Sequence, residues 1–188
     1  MADKAAPEAK KSLRFIGGDA RDDKTRKNES GEDPGRSDLT FIIAGMGCFI
    51  EVKNGEDGWT TRSSDPRKFW TRQQREWARL KVTAERPTPV WMWISVGPDQ
   101  PHYNPLKFMP RKTWLVPYQD VIKVVEMMEV NGHSTLPYRV KKRTRTFFKE
   151  RNLSCETAFA GYELKWCGNR IWSIPEDHKF YREYINAE

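Results

Sequence analysis

"GRSDLTFIIAGMGCFIEVKNG", residues 35–55, sets two short apolar runs around a glycine-containing turn. One charge, Asp38, opens the first run, and two more, Glu51 and Lys53, close the second. Apolar runs of this length bounded by turn residues predict an antiparallel hairpin. With Ala44 to Gly47 as the turn, Asp38 faces Lys53 and Thr40 faces Glu51. All four then share one side, because opposed residues point the same way and the side-chain period is two. Asp38 and Glu51 become diagonal neighbours about 7 Å apart at the backbone. At that spacing both carboxylates can reach one small cation.

Two hard carboxylate oxygens at a site open to water suit Mg²⁺ or Mn²⁺, which keep several waters and complete their shell with phosphate oxygens. A lysine beside them can hold an attacking water or offset charge on a phosphate in the transition state. The reaction class is phosphodiester hydrolysis. A plain Asp38–Lys53 salt bridge at a strand end is the competing reading. An acid two residues before a lysine is weak evidence by itself, since the chain has five: Glu8/Lys10, Asp22/Lys24, Glu51/Lys53, Glu163/Lys165 and Asp177/Lys179. Only those at 51 and 163 lie in strand-like runs. The second has Glu150 upstream at the matching distance, but "RNLS" after Glu150 opens no strand, and the run leads into a tight hairpin instead of a helix.

Around this hairpin the chain reads as one domain with extensions. Its 188 residues, 37% hydrophobic and with eight tryptophans, are enough to bury a core. Residues 1–34 read as a flexible segment with a short helix around Pro7 to Leu13 and a brief strand at Phe15 and Ile16. The charged run "GGDARDDKTRKNESGEDPGR" is the basis for the flexibility. After a loop over residues 54–65, Asp65 and Pro66 form a helix start. The helix over 66–84 aligns Phe69, Trp70, Trp77, Leu80 and Ala84, and "PVWMWISVG" after Pro87 is a strand. Residues 35–96 form the core and 97–188 a C-terminal extension packed on it. That extension reads as strand "TWLVP", helix "YQDVIKVVEMMEVNG", a hairpin turning at Gly168 and Asn169, and a last helix opened by a Ser173/Glu176 capping box. Cys48, Cys155 and Cys167 lack disulfide or zinc spacing. His102, His133 and His178 are isolated and read as surface or capping residues.

The formal net charge of +7 favours an acidic partner, nucleic acid before membrane. Apolar stretches fall short of the roughly 20 residues a membrane helix needs, and "MADKAAPEAKK" is unlike a signal peptide. An intracellular location is the expectation. The segment "YRVKKRTRTFFKER", residues 138–151, interleaves basic residues with Phe147 and Phe148. Lys141, Lys142, Arg143 and Arg145 are candidate backbone-phosphate contacts, against the reading of a solvated basic face anchored by its phenylalanines. Arg62, Arg67 and Arg72 form a second basic set beside the proposed metal site.

"GRSDL", thirteen positions from Asp38 to Glu51, "IEVK" and the helix "QREWARL" together resemble the PD-(D/E)XK nuclease superfamily, most closely its Holliday junction resolvase and VRR-NUC branches. The resemblance covers residues 35–96. It implies an α/β fold with a mixed central sheet flanked by helices, here with an α+β C-terminal elaboration. It further implies Asp38 and Glu51 as ligands of Mg²⁺ or Mn²⁺, the Val52 carbonyl as a third, Lys53 as the catalytic lysine and Gln74 as the helix glutamine, favoured over Gln73. The family's upstream acid falls on Glu8, with Glu29 and Glu32 competing. Ser37 stands where proline is usual, and the loop over 54–65 is longer than common. The implied function is metal-dependent DNA cleavage, structure-specific for branched or recombination intermediates, by a homodimer. A sequence-specific homing or restriction-type endonuclease, or a non-catalytic nucleic-acid-binding protein, are the alternatives. A small core joined to an unfamiliar tail fits a phage or other mobile element.

Overall fold

Buried, β-branched and aromatic runs dominate the middle of the chain, and they meet in one sheet. The structure, a computed structural model, describes residues 5–22, 38–55, 58–60, 72–97 and 111–186. In chain order its elements are α1 (Ala5–Phe15), β1 (Asp19–Asp22), β2 (Leu39–Ile43), β3 (Met46–Gly55), β4 (Gly58–Thr60), α2 (Arg72–Thr83), β5 (Val90–Val96), β6 (Lys112–Pro117), α3 (Tyr118–Val130), β7 (Thr135–Pro137), α4 (Thr146–Glu150), α5 (Cys155–Ala158), β8 (Lys165–Gly168), β9 (Ile171–Ser173) and α6 (Lys179–Tyr184). A five-stranded sheet runs β1-β2-β3-β5-β6. Only the β3–β5 pair is parallel, with α2 on the crossover. The molecule is therefore mixed α/β with helices against the sheet, as the sequence leads one to expect. Among the described helices none is long and apolar enough to cross a membrane.

The sheet separates two cores. Met92, Ile94, Trp114 and Val116 face α2 and α3, whose Ala78, Val121, Val125 and Met128 close over them. Ile50, Val52, Trp91, Trp93 and Leu115 face α1, α6 and the β8–β9 hairpin. Every residue of β5 is buried, as a central strand covered on both faces requires. β6, from the segment read as the extension, is the fifth strand of this sheet.

Several local expectations are corrected. Residues 19–22, inside the run read as flexible, form β1 against β2, with Ala20 buried beneath α1. Phe15 ends α1 and is exposed instead of opening a strand. A short strand, β4, interrupts the loop over 54–65 and pairs with β7. On α2 the buried residue is Ala78, while Leu80 is exposed. The C-terminal hairpin turns through Asn169 and Arg170, both at positive φ, one residue later than expected. The last helix starts at Lys179, capped by His178, because Ser173 is held in β9. Asp65, Pro66, Phe69, Trp70 and His102 lie outside the described residues.

Candidate active site

The register of β2 on β3 decides which charges meet. A two-residue turn, Ala44 and Gly45 at φ 50° and 79°, joins the strands. Positive φ at both positions matches the right-handed twist of a hairpin. Ile43 therefore pairs with Met46 and Leu39 with Ile50. The pairing is offset by two residues from the expected one, which leaves every side chain on its expected face. Continuing it brings Asp38 level with Glu51 instead of Lys53. An Asp38 carboxylate oxygen accepts a 2.7 Å hydrogen bond from the Val52 N–H. In an extended strand a residue's N–H and C=O point to the same side, so the Val52 carbonyl lies along that same edge.

Glu51 and Lys53 are both buried, 3% and 2% exposed, on a face otherwise lined by Phe49, Met92 and Ile94. Ionised groups there need partners. The Lys53 ammonium forms an ion pair with Glu51, and Gln74 Nε2 donates to Glu51 Oε1 at 2.6 Å. α2 reaches the strand through two contacts one helical turn apart: Gln74 on Glu51, and Trp77 edge-on to Phe49 at 4.9 Å between ring centres. The other side of α2 is tied to α3, where Arg75 reaches both oxygens of Glu129 at 3.0 and 3.1 Å. Nothing in the sequence links residues 54 positions apart, so this clasp is visible only in the fold.

Burial pushes the Glu51 carboxyl up to about 8; Lys53 pulls the other way and the Asp38 carboxylate adds to the rise. Two acids held edge to edge, one of them short of compensating charge, are a donor set that a divalent cation satisfies. Asp38, Glu51 and the Val52 carbonyl would hold it. Among the described residues no three His, Cys, Asp or Glu side chains cluster as a metal-binding group, so the remaining positions would fall to water or phosphate oxygens.

Glu8 is held elsewhere. It is buried on the opposite face of the sheet, 3.5 Å from the Arg111 guanidinium and 3.4 Å from Trp172 Nε1. The contact joins α1 to the start of β6 and to β9. Glu29, Glu32, Arg62 and Arg67 lie outside the described residues. Arg72 and Gln73 lie at the start of α2, Arg72 exposed and Gln73 half-buried. Glu163 pairs with Lys112 at 3.1 Å and Lys165 is exposed, so the second acid-x-lysine strand gathers no carboxylate pair. Lys141, Lys142, Arg143 and Arg145 are exposed. Phe148 is buried and Phe147 stacks on His133 at 4.3 Å, anchoring this segment to the core. Cys48 and Cys155 are buried free thiols and Cys167 an exposed one.

No family model matches the sequence, and no curated protein matches it.

Proposed function

We propose that the protein is a metal-dependent endodeoxyribonuclease with a PD-(D/E)XK core, acting on branched or recombination DNA as a homodimer. One observation supports this above the rest: a buried Lys53–Glu51–Gln74 cluster lies at the strand edge where Asp38 binds the Val52 N–H. A purely structural ion pair needs one acid for one lysine, whereas this edge carries a second carboxylate.

Asp38 and Glu51 bind and orient a Mg²⁺ or Mn²⁺ ion, Gln74 fixes the rotamer of Glu51, and Lys53 sets positive charge beside the carboxylates. When bound, the cation lowers the pKa of a coordinated water and stabilises charge on the phosphate. Water adds to phosphorus, one P–O bond breaks, and the leaving oxygen takes up a proton. The test is nicking of supercoiled plasmid with Mg²⁺ and with EDTA, comparing wild type with Asp38→Asn and Glu51→Gln. Mg²⁺-dependent nicking lost in both folded variants is the expected result. Equal nicking by all three, or none by wild type on linear, nicked, single-stranded and four-way DNA, overturns the proposal.

A further inference from the structure

The strand that carries Lys53 leads by backbone contact to a second, strongly basic feature. β3 ends at Gly55, which abuts Gly58 of β4, and Gly58 pairs with Pro137 of β7. A Cβ at Gly55 would lie 2.0 Å from the Gly58 carbonyl oxygen, and one at Gly58 2.3 Å from that of Leu136. Only glycine allows this approach. Two residues of strand and two lateral steps put the Pro137 Cα at most about 17 Å from that of Lys53, a few nucleotides along a DNA strand.

Beyond Pro137 the chain encloses a pocket of about 360 Å³, whose walls include Pro137, Tyr138, Phe148, Lys141, Arg143 and Arg145. The basic residues of this segment are not equivalent. Arg139 is committed to Glu156 at 3.2 Å and lies over the Tyr138 ring. Lys142 is exposed but is not part of the pocket wall. Lys141, Arg143 and Arg145 are exposed, line the pocket and form no ion pair with any described residue. Their loop is closed on itself, with Thr144 N–H donating to the Lys141 carbonyl at 2.9 Å and Lys141 N–H to Thr144 Oγ1 at 2.7 Å. Three like charges are thus held around one concavity, an arrangement that favours a polyanion.

A duplex presents its phosphates on convex ridges and cannot enter such a pocket. A single unpaired nucleotide can, its phosphate on the cationic rim and its base against the apolar wall. We propose that this pocket binds an unpaired nucleotide of DNA, and that the substrate carries a single-stranded stretch a few nucleotides from the scissile phosphate. The placement relative to the cut rests on the nuclease reading; the affinity of the pocket does not.

The full-length protein, in EDTA, is titrated with a blunt duplex and with the same duplex bearing a short oligothymidine overhang, at several salt concentrations. Wild type should bind the overhang DNA about tenfold more tightly or better. Lys141→Gln/Arg143→Gln/Arg145→Gln should lose that preference and lower the log–log salt slope by roughly 2, at about 0.7 per single-strand phosphate contact. Lys142→Gln, an equal change of charge outside the pocket, should keep the preference, and Arg143→Gln alone should weaken it. Equal wild-type affinity for both DNAs, or equal effects of Lys142→Gln and Arg143→Gln, overturns the proposal. Cleavage in Mg²⁺ is scored separately. Cutting without overhang preference removes the pocket and leaves the nuclease; overhang preference without cutting does the reverse.

Discussion

Gln74 on α2 donates a 2.6 Å hydrogen bond to Glu51 on β3, and that carboxylate also receives Lys53. One buried acid thus joins helix and strand. Replacing Gln74 by Leu removes one donor from a buried carboxylate, which costs about 1–3 kcal/mol. Chemical denaturation should show that loss, and plasmid nicking should fall with it. Gln73→Leu, on a neighbour that makes no contact with Glu51, should change neither.

Asp38→Asn and Glu51→Gln preserve shape, and the amide oxygen introduced at position 51 would still accept from Gln74 and Lys53. Melting temperatures should stay close to wild type. Nicking should drop by about a thousandfold or more, since metal activation supplies several kcal/mol of barrier reduction.

The two acid-x-lysine strands should separate cleanly. Lys53→Met removes the counter-charge of a buried acid and should abolish nicking, whereas Lys165→Met changes an exposed side chain with no carboxylate pair beside it. DNA binding in EDTA should persist in both. Activity lost from the Lys165 variant and kept in the Lys53 variant would move the site to β8.

Arg111 and Glu8 make a buried pair outside the proposed metal edge. Arg111→Met leaves Glu8 buried without its partner and should cost about 3–5 kcal/mol, with the Glu8→Met/Arg111→Met double variant recovering much of it. Denaturant midpoints of the two singles and the double decide this. Failure of the double to recover would mean that the pair does more than hold α1 to β6.

His178 gives the fold an acid sensitivity. Its Nδ1 accepts from the Phe180 N–H at 3.0 Å, so its Nε2–H faces the Tyr162 carbonyl at 3.1 Å. Burial holds the imidazole below its ordinary 6.5, with Arg182 adding to the effect and the Tyr162 carbonyl, Asp177 and the Leu115 carbonyl opposing it. Between the lowered folded value and 6.5 the unfolded chain binds the extra proton, so stability falls as pH falls through that window. Protonation also removes the helix cap, worth about 1 kcal/mol. Urea midpoints at pH about 5 and about 7.5 should differ in wild type and differ less in His178→Asn, which caps without titrating.

Local pattern determined the elements with strong periodicity. The alternation in "DLTFII" and "CFIEVK" fixed the hairpin and put Asp38, Glu51 and Lys53 on one side, a parity that a two-residue change of register cannot alter. The unbroken run "VWMWISV" marked a strand buried on both faces. The polar position of Gln74 beside apolar neighbours marked the edge of a helix face. Tertiary structure decided the rest. Turn geometry, with Ala44 at positive φ, chose the register and so set Asp38 against Glu51. Packing of Trp77 on Phe49 and of Arg75 on Glu129 fixed the rotation of α2, which leaves Leu80 outside. The charged "DARD" became β1 because β2 offered an unpaired edge and α1 covered Ala20, a stabilisation no local propensity contains. The pocket at Pro137 to Phe148 exists only because two glycines let β4 lie against β3 and β7. Long-range contacts of this kind leave no periodic trace, since each joins residues whose neighbours in the chain know nothing of one another.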